Sequence, residues 1–245
     1  MMKTLLFACF ATVSVVHADP GPEAGKQVAQ ALEVKDEKGS KEKLRYWLAL
    51  PPAEEKKPEA GWPLMIFLHG AGERGDNLEQ VKQHGPPKLI GKEKALNSFI
   101  VASPQCPAGR WWDVKEIKQL VDHLSESQPV DRSRIVMTGL SMGGFGTWGF
   151  LAEYPDVLAA AVPICGGGKP ETAVRFKDVP LHCYHGAKDN VVPQSKSDEM
   201  IEALKKAGGK PQYTIFPEAG HDSWTDAYAT AGLYKWLLEQ RRAAK

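Results

Sequence analysis

An excess of charge of one sign is missing from this chain: Lys and Arg number 31 against 30 Asp and Glu, a formal net charge of +1. So even a balance leaves no electrostatic footprint for nucleic acid and no polybasic patch for a membrane surface. Long hydrophobic runs are missing too. The apolar stretch from Leu5 to Val16 is too short to span a bilayer and lacks a stop-transfer flank, which excludes stable membrane insertion through it. Cysteine is scarce, at four residues. Internal repeats and low-complexity tracts are absent, and no second domain is visible. The 245 residues suit one sizeable α/β unit.

What is present begins with processing. Lys3 precedes the apolar run, and Val16-His17-Ala18 puts small residues where signal peptidase requires them. Residues 1–18 read as a signal peptide cut after Ala18, so the mature chain is expected to be secreted or periplasmic. Cys9 lies in that leader. Cys106, Cys165 and Cys183 remain, and an odd number in an exported protein means at least one free thiol. Cys165 and Cys183 fall at the end of one predicted strand and within the next; free, buried thiols are expected, with a disulfide between these two as the alternative.

Residues 19–43 are polar and rich in Pro and Gly, with a modest helical stretch around Val28 to Leu32; they read as a linker or loosely docked arm. The catalytic domain is expected over 44–245. Leu44 to Leu50 alternates as a strand should, and Pro63 to Leu68 is the continuous apolar run of a buried strand. Gly85-Pro86-Pro87 breaks a short helix around Leu78 to Gln83, and the strand Phe99 to Ser103 follows. Val114, Ile117, Leu120, Val121 and Leu124 share one helical face within Asp113 to Ser125. Further strands are predicted at Arg134 to Thr138, Ala159 to Ile164, Pro180 to Tyr184 and Gln212 to Phe216, with helices after Ser141, over Ser195 to Ala207 and over Thr225 to Gln240. Strands alternating with helices imply a mostly parallel central sheet covered by helices on both faces. Only about fifteen residues separate Ile164 from Pro180, too few for a cap domain, so the site should be open.

The chain is organised around Gly139-Leu140-Ser141-Met142-Gly143. A strand, a sharp turn carrying serine, and a helix would lift that hydroxyl above the sheet edge. Such a turn crowds the positions two before and two after the serine against backbone, where a Cβ would clash and glycine is demanded. A serine hydroxyl needs a base, and the base an acceptor that holds its tautomer. In a parallel sheet these residues gather beyond the carboxyl ends of strands. Asp189 follows one predicted strand end and His221 the last one, in the order Ser, Asp, His that this type of sheet uses. Asp222 is the rival acid, but next to His221 it cannot easily reach the far side of the ring. His69, His84, His123, His182 and His185 lack this placement and read as structural. The oxyanion would be held by the amide of Met142 and by one from His69-Gly70-Ala71-Gly72, with Ala71 preferred over Gly72.

Together with Pro104-Gln105-Cys106-Pro107, Trp111-Trp112, His185-Gly186-Ala187-Lys188-Asp189 and Gly220-His221-Asp222-Ser223-Trp224, these motifs resemble secreted α/β-hydrolases of the feruloyl/acetylxylan esterase and polyhydroxybutyrate depolymerase-like group. The group also includes chains labelled predicted peptidases, prolyl oligopeptidase-like or phospholipase/carboxylesterase-like. The resemblance runs from about Leu44 to the end and implies an α/β-hydrolase fold that cleaves carboxylic esters through an acyl-enzyme. Ser141, Asp189 and His221 would be the triad, with no metal or organic cofactor. The substrate would be a small-molecule or polysaccharide-linked ester carrying a short acyl, acetyl or feruloyl group. Trp111, Trp112 and Trp224 offer broad faces for stacking a sugar or phenolic group. Glu73 and Arg74 are expected to pair and hold the oxyanion loop. Two rivals remain: a prolyl oligopeptidase-type peptidase, disfavoured by the missing propeller or gating domain, and a non-catalytic binder, disfavoured because no triad member is lost.

Overall fold

The computed structural model describes residues 25–36 and 39–242. The expected signal peptide and Cys9 lie outside the described residues. Among those described, eight strands form one sheet in the order β1-β2-β4-β3-β5-β6-β7-β8. They are β1 Gln27–Lys35, β2 Lys41–Ala49, β3 Trp62–Leu68, β4 Ile100–Pro104, β5 Val130–Leu140, β6 Ala160–Ile164, β7 His182–Gly186 and β8 Gln212–Phe216. The first two strands run antiparallel to their neighbours, and every pair from β4 to β8 is parallel. The helices are α1 Gly85–Leu89, α2 Val114–Ser127, α3 Met142–Glu153, α4 Ser195–Lys206, α5 Trp224–Ala229 and α6 Leu233–Glu239. This is the α/β-hydrolase fold, with no cap domain among the described residues. No helix among them is long and apolar enough to cross a membrane.

Strand β3 shows why the runs are continuously apolar. Its side chains alternate between faces, and both faces are covered. Leu64, Ile66 and Leu68 enter the core layer beneath α2, α3 and α4, while Met65 and Phe67 enter the layer that contains Tyr228, Leu233 and Leu237. Helix α2 buries Ile117, Leu120, Val121 and Leu124, the face its spacing predicts. Its N-terminus is capped by the Asp113 carboxylate, which accepts from the Lys115 amide at 2.8 Å. Because β3 to β8 are parallel, their carboxyl ends share one edge, and the loops leaving that edge carry His69, Cys106, Ser141, Cys165, Asp189 and His221.

Three expectations are corrected. The stretch taken as a linker or arm with a helical turn around Val28 to Leu32 is strand β1, paired with β2 along its whole length from Gln27↔Ala49 to Lys35↔Lys41. Val28, Ala31 and Leu32 fit a helical face, but Val28, Leu32 and Val34 also fit a strand face. Pairing with β2 decides, and Val34 is buried at 1% exposure. The single helix expected over Thr225 to Gln240 is two helices, because Thr230 is extended and Gly232 takes the left-handed conformation at φ 85. Finally, Gly85-Pro86-Pro87 opens α1 as well as ending the turn before it, since prolines in a first turn forfeit no intrahelical hydrogen bond. Cys106, Cys165 and Cys183 are all free and buried, as expected.

Candidate active site

The turn between β5 and α3 holds Ser141 at φ 52 and ψ −117, a conformation costing about 1–3 kcal/mol for a residue with a side chain. Neighbouring backbone keeps it there. The Ser141 amide donates to the Ile164 carbonyl and the Phe145 amide to the Ser141 carbonyl, each at 3.0 Å. The two flanking glycines are a steric requirement. A Cβ on Gly139 would stand 2.3 Å from the Gly143 carbonyl oxygen, and one on Gly143 only 1.9 Å from that of Leu68.

Loops after β7 and β8 bring the other two residues to this hydroxyl. His221 Nε2 is 2.9 Å from Ser141 Oγ, and His221 Nδ1 is 2.8 Å from Asp189 Oδ2. The Asp189 side chain is fully buried, while the His221 ring is 19% exposed. Asp189 Oδ1 accepts the Val191 and Val192 amides, each at 2.9 Å. Burial pushes the Asp189 carboxyl up, but the hydrogen bonds from His221, Val192 and Val191 outweigh it and leave it below the usual carboxylate range. Asp222 is exposed, and the acceptor at the imidazole is Asp189. A hydroxyl, an imidazole and an ionised carboxylate therefore stand in line, the arrangement that moves a proton off an attacking oxygen.

Ala71 and Met142 are the first residues of a 3-10 turn (Ala71–Glu73) and of α3, so their N–H groups have no intrahelical acceptor. The two loops lie close: a Cβ on Gly70 would be 3.6 Å from the Ser141 Cβ. Burial lowers His69 to about 4, so it is neutral at pH 7. Its Nδ1–H donates to the Gly70 carbonyl at 2.6 Å, and its Nε2 accepts the Cys106 amide at 3.0 Å. The Ala71 loop is thus tied to the loop after β4. Arg74 holds it from outside, donating to the Ala71 carbonyl at 3.0 Å and the Arg110 carbonyl at 3.1 Å. The expected Glu73–Arg74 pair does not form; the buried Glu73 carboxylate instead lies 3.7 Å from His84 Nε2 and 3.8 Å from His69 Nδ1.

The three tryptophans separate. Trp111 is 62% exposed and meets Phe145 edge-on, with centroids 5.8 Å apart. Trp112 is not the free stacking face expected: its indole N–H donates to the His69 carbonyl at 3.1 Å, and its half-buried ring packs on the His69 ring. It braces the loop that carries Ala71. Trp224 stands edge-on to His221 at 5.3 Å and to His84 at 5.4 Å, and its buried N–H has no hydrogen-bond partner. It lines a cleft of about 310 Å³ with His84, Lys88, Leu89 and Tyr228. Sequence reasoning left two further features aside. His185, read as structural, lies against Asp189, and its place after a strand and four residues before the acid was the available signal. Cys165, Asp189 and His221 offer ligand-type atoms within 4.8 Å of one another. Burial pushes the Cys165 thiol up to about 12, and the other two are already bonded to each other, so the trio is poorly disposed toward a metal ion.

Residues 110–231 match the family described as the dienelactone hydrolase family, a span holding Ser141, Asp189 and His221 but not Ala71. The chain is 51% identical over 200 residues to poly(3-hydroxyalkanoate) depolymerase C of Paucimonas lemoignei, covering 62% of this chain and 47% of that protein. It is 27% identical over 147 residues to a bifunctional acetylxylan esterase/xylanase of Neocallimastix patriciarum, covering 57% of this chain and 21% of that protein. The chain spans about half the length of the first of these relatives and about a fifth of the second. Among solved structures, a thermostable esterase superposes with a TM-score of 0.75 at 31% identity, over 87% of this chain and 63% of that one.

Proposed function

We propose, for a chain that belongs to the dienelactone hydrolase family over residues 110–231, that it is a serine hydrolase of carboxylic esters. Ser141 Oγ attacks the ester carbonyl while His221 Nε2 takes its proton; the Ala71 and Met142 amides hold the oxyanion. As the tetrahedral intermediate collapses, the carbon–oxygen bond to the alcohol breaks and His221 returns the proton to that oxygen. Water then repeats the sequence on the acyl-enzyme, releasing the acid and restoring Ser141. Asp189 keeps the imidazole in its productive tautomer and stabilises its charged form. The observation that carries this reading is the line of contacts Ser141–His221–Asp189 at 2.9 and 2.8 Å. The relatives named for ester-cleaving activities support it.

Within that chemistry the substrate is a short acyl, acetyl or feruloyl ester, free or displayed on a polysaccharide. The uncapped site and the exposed Trp111 support a bulky, externally presented substrate. Export after cleavage at Ala18 completes the proposal, and the expressed full-length chain should yield a mature N-terminus at Asp19 on mass analysis. The function is tested with a panel of acetyl, butyryl, octanoyl and feruloyl esters beside acetylated xylan, on wild type and Ser141→Ala. Ester turnover that disappears with Ser141→Ala supports the reading. Hydrolysis of aminoacyl-nitroanilides without turnover of p-nitrophenyl acetate would move the assignment to a peptidase. Ester turnover unchanged in Ser141→Ala would remove Ser141 as nucleophile.

A further inference from the structure

A second histidine is wrapped into the acid end of the site. His185, at the end of β7, is fully buried. Its Nε2 stands 2.9 Å from the Val192 carbonyl oxygen and 3.2 Å from Asp189 Oδ2. Both are acceptors, so Nε2 carries a hydrogen in either charge state of the ring. That N–H donates to Val192 and turns its positive edge to the Asp189 carboxylate. The other nitrogen, Nδ1, is 2.7 Å from Ser197 Oγ in the first turn of α4, and that oxygen lies 3.0 Å from the Gly166 carbonyl oxygen. One imidazole thereby links the strand end of β7, the start of α4 and the loop after β6 to the segment that holds the acid.

The segment matters because of how Asp189 is held. The Val192 amide is one of the two donors on Asp189 Oδ1, and the Val192 carbonyl, one residue unit away, is the group His185 grips. With the His221 N–H on Oδ2, the carboxylate is set by loop amides on one oxygen and by two imidazole edges on the other. The loop carrying those amides is otherwise open to water, with Asn190, Val191 and Pro193 exposed. A buried clamp on an exposed loop is what keeps a short turn in one conformation.

We propose that His185 is a positioning residue for the Asp189–His221 pair: through Val192 and its own N–H it fixes the carboxylate at the distance and angle that hold the His221 tautomer. The inference rests on the Ser141–His221–Asp189 reading above. Removing the donor lets the acid loop relax, and misplacement of this kind costs up to about 10²-fold in rate.

The test compares His185→Leu, which fills the space without a donor, with His185→Gln, whose amide N–H can occupy the position of Nε2. Active sites are counted by burst titration, kcat and KM are measured separately on p-nitrophenyl acetate, and folding is followed by thermal melting. The proton resonance of the His221 Nδ1–H···Asp189 bond is followed by NMR. His185→Leu should lower kcat on the order of 10-fold or more, leave KM within about twofold, and shift or broaden that resonance; His185→Gln should recover most of kcat and the resonance. A folded His185→Leu with wild-type kcat and resonance overturns the proposal. If His185→Leu does not fold, His185→Gln decides: near-wild-type kcat and resonance support the proposal, and a folded enzyme that has lost both overturns it. Ser141→Ala separates the two levels, since an active Ser141→Ala would sink the triad itself, whereas an inactive Ser141→Ala beside a fully active His185→Leu removes only the clamp.

Discussion

The serine turn and strand β1 belong to the same sheet, yet they are specified in opposite ways. Around Ser141, backbone touches backbone: Gly139 and Gly143 stand where any side chain would enter a carbonyl oxygen, and Ile135 to Leu140 are all buried. Along β1, alternate residues face water and only Val34 is fully buried, so the strand is held by main-chain pairing that does not discriminate among side chains. Where sterics are set atom by atom, a motif can be read in the chain. Where the fold needs only a paired edge, many sequences serve, and this one reads equally as arm, helix or strand.

The sharpest way to break that contrast is at the converging side chains. Asp189→Asn keeps the shape but donates an N–H toward His221, and kcat on p-nitrophenyl acetate should fall by about 10⁴-fold; a change below tenfold would remove Asp189 from the mechanism. Next comes the turn itself. Gly143→Ala must displace the Leu68 carbonyl, so a loss of about 3 kcal/mol in urea unfolding, with loss of activity, is expected; a variant as stable and active as wild type would show that the glycine is incidental. A third effect is pH. His69 is lowered to about 4 by burial, whereas the unfolded chain takes up a proton near its ordinary value of 6.5. Stability should therefore fall as pH drops from about 6.5 to about 4, by up to about 3 kcal/mol from this group, and this contribution should level off below. His182, half-buried and also lowered to about 4 by burial, adds to the same window. Denaturant unfolding at pH 7 and pH 4.5 measures it, and equal stabilities would contradict the buried neutral ring. The smallest effect belongs to the edge. Ala29→Thr, at an outward position of β1, should change stability by no more than about 0.5 kcal/mol, and a larger loss would show that β1 is as tightly specified as the turn.

Some of the site could be read because its requirements are short in range. The glycine pair around Ser141, the apolar run of β3 and the one-sided face of α2 each express a constraint within a few residues. The placement of Asp189 and His221 followed from parallel connectivity alone, since strands that alternate with helices must deliver their following loops to one edge. Gly232, which divides the C-terminal helix, is also a local signal, since a glycine there takes the left-handed conformation between the two helices.

Other features depended on which loops become neighbours. Trp112 and Trp224 have the same composition-level signal, but one spends its N–H on the His69 carbonyl and the other leaves it unpartnered beside His221. Glu73 was expected to pair with Arg74 by adjacency, and the loop geometry sends the two apart. The grip of His185 on Val192 and Ser197 reaches Gly166 in the loop after β6, to which Ser197 is bonded across 31 residues of chain. By itself the sequence determined the order of the strands from β2 to β8, the strained serine turn and the candidate acid and base, because those follow from local sterics and from the connectivity of a parallel sheet. The tertiary structure alone decided that β1 completes the edge, which tryptophans remain free and what holds Asp189 in place, because hydrogen bonds between distant loops leave no periodic or steric mark in the chain.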